Sequence, residues 1–160
     1  IKSALKQSGQ AGEQREGMDI ALCILDRKNN ELNYAGAYSP LWLFRQSKEP
    51  KGNPESDTAE FVEYRADRQP AGIYQKEKPF TEHRIQLKKG DRFYIFSDGF
   101  YSQFGGEKGE KLKTKPFRDI LTRVSKLPMN LQQEALESAF NQWQGNEIQI
   151  DDVLVMGVEI

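Results

Sequence analysis

Apolar residues in this chain fall into short, dense runs separated by charged turns, a spacing that predicts strands over most of the length and helices only near the end. Residues 18–25 (MDIALCIL) are almost continuously apolar and stop at Asp26, Lys28, Asn29 and Asn30. A run so short and unbroken predicts a strand covered on both faces. Asn29-Asn30 supplies a turn, because Asn tolerates positive φ, and the run 32–38 that follows completes an antiparallel hairpin. Residues 41–45 (LWLFR) resume as a strand, 46–58 read as an exposed charged insertion, and 61–66 alternate as a half-exposed strand. After the turn at 69–73, residues 83–87 and 92–96 (RFYIF) flank Lys89-Gly90-Asp91 and predict a second hairpin. The Gly- and Lys-rich stretch 101–113 reads as a flexible flap.

Periodicity then changes from two to 3.6. Thr114 is placed to cap a helix with Pro116 in its first turn, and Phe117, Ile120, Leu121 and Val124 repeat at helical spacing until Pro128. Asn130 is placed to cap a second helix with Gln133 as its capping-box partner. Its apolar stripe is Leu136, Ala139, Phe140 and Trp143, and Gly145 is the stop. Residues 150–158 form a last buried strand, prefaced by Asp151-Asp152. About seven strands with two helices before the final one make an α+β fold of antiparallel sheets flanked by helices the economical arrangement.

Composition narrows the chemistry. The chain has 160 residues, 11% of them aromatic, enough for one domain with a real core. Lys and Arg number 23 against 24 Asp and Glu. With the signs mixed, no long basic face exists to neutralise phosphates, and no nucleic-acid partner is expected. One Cys and one His exclude an internal disulfide and a Cys/His zinc site, so any metal must be held by oxygen. No run approaches a membrane span, and no membrane contact by this domain is expected. Residues 1–16 read as a helix tail and mobile linker, with the domain proper at 17–160. Ile1 in the place of an initiating Met predicts excision from a longer chain.

The carboxylates at strand ends carry the candidate chemistry: Asp98 at the exit of RFYIFSDG, and Asp151-Asp152 just before the last strand. Rigid backbone holds such a side chain while its oxygens face a ligand, which is what a hard cation requires. Each is weak alone, since Asp-Gly is a common turn dipeptide. His83 lies among charged residues and reads as a surface residue, Cys23 as a small buried thiol, and Trp42 and Trp143 as core or interface anchors.

Taken in order, YAGAYSPLWLF, RQPAGIY, KKGDRFYIFSDGFYSQFGG and the terminal IDDVLVMGV resemble the later part of the SpoIIE-type branch of metal-dependent, PP2C-like serine/threonine phosphatases. The resemblance runs from about Gly17 to Ile160. It implies a two-layer antiparallel β-sandwich flanked by helices, N-terminally incomplete, with a binuclear Mn²⁺ or Mg²⁺ centre. It implies Asp98 and Asp151 as catalytic metal ligands, Asp152 as a further metal-associated carboxylate that orients them, and Gly99 in support. The implied substrate is a phosphorylated regulatory protein of the anti-sigma-factor-antagonist type. The implied setting is a larger bacterial signalling protein, cytoplasmic or tethered to a membrane sensor, with dimerisation left open. Two of the family's motifs, a GGD-type strand and a DG-x-GHG turn, have no counterpart upstream of Gly17, and Leu154 stands where Thr is common. The isolated chain is accordingly expected to be inactive. A silent phosphatase-like module that binds a partner protein is the alternative, and a purely structural module is the third reading.

Overall fold

A computed structural model of the chain describes residues 17–45, 60–72, 74 and 77–160. The expected helix tail and linker at 1–16 and the expected insertion at 46–58 lie outside the described residues. The strands are β1 (Gly17–Met18), β2 (Ile20–Asp26), β3 (Glu31–Ala37), β4 (Leu41–Arg45), β5 (Glu60–Tyr64), β6 (Ala71–Gly72), β7 (His83–Gln86) and β8 (Arg92–Phe96). Then come α1 (Gly99–Ser102), β9 (Phe104–Gly105), β10 (Glu110–Lys111), α2 (Thr114–Val124), α3 (Met129–Gln144) and β11 (Val155–Glu159). The described residues fall into two compact units, one within 17–41 and 63–88, the other within 42–45, 60–62 and 89–160.

In the first unit β3 lies between β2 and β7, antiparallel to both, and the short β1 pairs with β6. The expected hairpin is present: Cys23 faces Tyr34 across it, and Asn30 takes the turn at φ 50°. Leu32, Tyr34 and Ile85 are buried. The Tyr34 hydroxyl donates to the Ser39 carbonyl at 2.7 Å, and a Cβ on Gly36 would overlap that hydroxyl, so only glycine fits beside it. β2, however, is not covered on both faces. Leu22 and Ile24 are 58% and 62% exposed, because nothing described packs on this outer face, where their partners Ala35 and Asn33 on the central β3 are less buried as well.

The second unit holds the sheet ordered β11-β8-β4-β5, with β11 antiparallel to β8. Trp42, Phe44, Tyr94, Phe96, Phe100, Phe117 and Leu121 form its core, with Phe117 between Trp42 and Phe100 at ring separations of 5.4 and 4.7 Å. Arg92 donates to the carbonyls of Ser125 and Leu127 and pairs with Glu159, so one guanidinium ties β8 to the α2–α3 connection and to β11.

Four local expectations need correction. Residues 83–87 and 92–96 do not form a hairpin: β7 pairs with β3 and β8 with β11. The intervening turn is held instead by the chain end, Gly90 N–H donating to the Ile160 carbonyl and Ile160 N–H to the Asp91 carbonyl. The second helix starts at Met129, not after an Asn130 cap, since Pro128 already supplies a fixed φ of −52° and its carbonyl accepts from Leu131. Thr114 is the first residue of α2 and makes no capping bond. The stretch 101–113 folds into the end of α1 and the β9–β10 hairpin, with Gly106 and Gly109 at positive φ.

Candidate functional site

The chain order separates Asp98 from Asp151-Asp152 by half the second unit, and β8–β11 pairing brings them back together. β11 runs antiparallel to β8, so the residues just before β11 meet the residues just after β8. A hydroxyl clamps this junction. Ser97 Oγ donates to the Asp152 carbonyl at 2.7 Å and accepts the Leu154 N–H at 2.9 Å, while Ser97 N–H donates to the Leu154 carbonyl at 3.0 Å. Gly99 completes the fit: a Cβ there would overlap the Asp152 carbonyl oxygen, so the Asp98 turn touches the Asp152 backbone directly.

The carboxylates on this frame are exposed. Asp98 precedes α1, and one of its oxygens accepts the Ser102 hydroxyl at 3.2 Å. Asp151 accepts the N–H of Asp152 at 2.7 Å, which fixes its side chain against its own backbone. Behind them, the buried Gln103 donates to the Ile148 carbonyl at 2.9 Å and Trp143 Nε1 donates to the Gln103 carbonyl at 3.0 Å, anchoring the segment that leads to Asp151.

Hard oxygen donors of this kind suit Mn²⁺ or Mg²⁺. Yet among the described residues no three His, Cys, Asp or Glu side chains gather closely enough to hold a metal ion. The chemistry of the donors fits such a cation, and their number falls short of a binuclear centre.

Two residues that matter here left little trace in the sequence. Ser97 is an ordinary strand-end serine until its partners, 55 and 57 positions away, are known. Gln103 is a polar residue in a stretch that reads as loop, although it is fully buried. His83, read as a surface residue, is only partly exposed. It is half-buried in the first unit, stacked on Tyr34 and edge-on to Tyr64, both at 5.6 Å. Cys23 is half-buried, and desolvation pushes its thiol up to about 11.

The sequence profile of Stage II sporulation protein E (SpoIIE) matches residues 2–160. Among solved structures, the SiaA-PP2C domain of Pseudomonas aeruginosa superposes with a TM-score of 0.74 at 27% identity, over 89% of this chain and 51% of that one. The phosphatase domain of the cell fate determinant SpoIIE from Bacillus subtilis gives 0.55 at 17% identity, over 89% and 58%. A manganese-presoaked form of the same domain gives 0.55 at 18% identity, over 89% and 56%. No curated relative matches the chain significantly. The fold is that of PP2C-like domains, α+β with antiparallel sheets, and the chain spans about half the length of the solved domains it matches.

Proposed function

The chain belongs to the SpoIIE family, and from that membership we propose that it is the C-terminal portion of a metal-dependent phosphatase domain that dephosphorylates phosphoserine or phosphothreonine on a regulatory protein. One observation supports this above the others: Ser97 and Gly99 join the Asp98 turn to Asp151-Asp152, the two acidic motifs that the family would use together. In this reading Asp98 and Asp151 hold Mn²⁺ or Mg²⁺, Asp152 orients them, and Gly99 allows the close approach. Such a cation, when bound, makes water a better nucleophile and offsets charge on phosphoryl oxygens. The remaining ligands come from a longer parent polypeptide. Its substrate is a small phosphorylated regulator of the anti-sigma-factor-antagonist type, and its setting is the cytoplasm. No described helix is long and apolar enough to cross a membrane.

The short donor set favours a second reading, a phosphatase-like module that binds a partner without turnover. A phosphate-release assay with Mn²⁺ and a phosphoserine peptide separates the two. The parent is expected to turn over, the 160-residue chain to be inactive, and Asp98→Asn in the parent to lose at least about a hundredfold, the scale at which a ligand to a catalytic ion contributes. An inactive parent establishes the second reading, and an unaffected Asp98→Asn parent removes Asp98 from the mechanism.

A further inference from the structure

The two acidic segments are tied to each other a second time, through the end of α1. Ser102 closes that helix and bonds Asp98 twice: its N–H donates to the Asp98 carbonyl at 2.9 Å and its hydroxyl to Asp98 Oδ2 at 3.2 Å. Gln103 follows in extended backbone (φ −60°, ψ 132°) and is fully buried. Its Nε2 donates to the Phe104 carbonyl at 3.0 Å and, across the unit, to the Ile148 carbonyl at 2.9 Å, just upstream of Asp151. The Gln103 carbonyl in turn accepts the Leu112 N–H and the Trp143 indole N–H, both at 3.0 Å. Trp143 is a firm base for this, because the β9–β10 hairpin is seated on the end of α3. Gly106 N–H donates to the Trp143 carbonyl at 2.8 Å, and a Cβ on Gly105 would overlap that carbonyl.

The segment 146–151 needs such a tie. It has no helix or strand of its own, and Ile148 and Ile150 are 81% and 51% exposed, so burial does not hold it. Its other hydrogen bonds among the described residues are local, Gln144 with Glu147 and Gln149 with Asp151, until the Ser97 clamp takes over at Asp152. Stability alone does not account for a carboxamide at Gln103. Its Oε1 meets no donor among the described residues, a cost that an apolar side chain of the same size would avoid. We infer that Ser102 and Gln103 are positioning residues of the site: the hydroxyl aims the Asp98 carboxylate, the carboxamide holds the segment that carries Asp151, and the spacing of the two carboxylates is set from the end of α1. The inference rests on the reading of these carboxylates as metal ligands and adds what aligns them. Groups that orient ligating carboxylates in this way govern metal affinity.

Mn²⁺ binding by the parent, read from the paramagnetic resonance of the free ion, tests the assignment without turnover. Ser102→Ala and the volume-keeping Gln103→Met are each expected to weaken binding at least about tenfold. Ser102→Thr, which returns a hydroxyl, should recover it, and the urea midpoint of metal-free Ser102→Ala should stay at the native value. Trp143→Phe keeps a ring and loses the indole donor to Gln103; it is the second variant for that arm and should weaken binding in the same direction. In the metal-free 160-residue chain, Gln103→Met should lower the backbone order parameters of 146–151 from about 0.85 to below about 0.6, while 131–140 stay rigid. Native Mn²⁺ affinity in Ser102→Ala, Gln103→Met and Trp143→Phe overturns the inference, and so does a loss in Ser102→Ala that Ser102→Thr does not recover. Phosphate release is read separately. A parent that binds Mn²⁺, binds it more weakly in the variants and releases no phosphate refutes the phosphatase reading alone. A parent that releases phosphate and keeps its Mn²⁺ affinity in every variant refutes the positioning residues alone, and a parent that binds no Mn²⁺ overturns both.

Discussion

Strands β2 (IALCILD) and β4 (LWLFR) are almost equally rich in apolar residues, and the fold treats them in opposite ways. Leu41, Trp42, Leu43 and Phe44 are all buried, with Trp42 and Phe44 against Phe61, Phe96 and Tyr94. In β2 the set Ala21, Cys23 and Leu25 is half-buried, and Leu22 and Ile24 face out. The difference is cover on the two faces: both faces of β4 are packed, whereas one face of β2 has nothing described on it, and the central β3 shares that less buried face. β11 repeats the β2 pattern, with Leu154 and Met156 exposed. Apolar density therefore reports that a segment is extended and wants cover, and what packs on each face of the sheet decides whether that cover is supplied among the described residues.

Truncation at the centre should have the largest effect. Phe117→Ala removes a fully buried ring that contacts Trp42, Phe96 and Phe100. It is expected to cost about 3–5 kcal/mol in urea unfolding of the 160-residue chain; a loss under about 1 kcal/mol would mean that this cluster does not carry the unit. Gly99→Ala comes next, because the added methyl meets the Asp152 carbonyl. The expected cost is about 1–3 kcal/mol by unfolding, accompanied by a fall in phosphate release by the parent. Ser97→Ala deletes both hydroxyl bonds of the clamp and should cost about 1–2 kcal/mol. Chemical shifts of Asp152 and Leu154 should move while those of Phe117 stay, and the opposite pattern would remove Ser97 from the junction.

The two faces of β2 can be compared directly. Burial raises the Cys23 thiol to about 11 from 9.0, so the folded protein carries little thiolate at pH 8. Alkylation by iodoacetamide at that pH should run at least about tenfold slower than in urea. The folded state keeps its proton to a higher pH than the unfolded state, so this contribution to stability is intact below about pH 9 and is lost as pH rises toward about 11. Equal alkylation rates in the folded and unfolded protein would contradict an inward Cys23. The smallest effect belongs to the outer face: Ile24→Thr should change unfolding of the isolated chain by no more than about 0.5 kcal/mol.

Much of the fold was legible. The aromatic runs LWLFR and RFYIF located β4 and β8 to the residue, Asn29-Asn30 located the first hairpin, and Gly145 located the end of α3. Each is a local signal, carried by residues that decide their own conformation. The hairpin expected across Lys89-Gly90-Asp91 failed because turn chemistry says that a chain reverses and not which strand it then joins; here Ile160, 69 positions or more away, holds the turn. The burial expected for residues 18–25 and 150–158 failed at Leu22, Ile24, Leu154 and Met156 for the related reason that an apolar run cannot reveal which face of a sheet another layer covers.

The acidic motifs divide along the same line. SDG and IDD, with their order and their positions beside strands, stand in the sequence, and so does the family resemblance they carry. That one serine hydroxyl and one missing Cβ press the two motifs together is a property of β8 lying against β11, and only the tertiary structure decided it. The physical reason is distance along the chain. Propensity, turn chemistry and capping act over a few residues and can be read in any window. Strand order, free edges and the meeting of Ser97 with Asp152 depend on contacts closed across loops of 50 residues or more, where many pairings satisfy the same local pattern and only the packed molecule selects one.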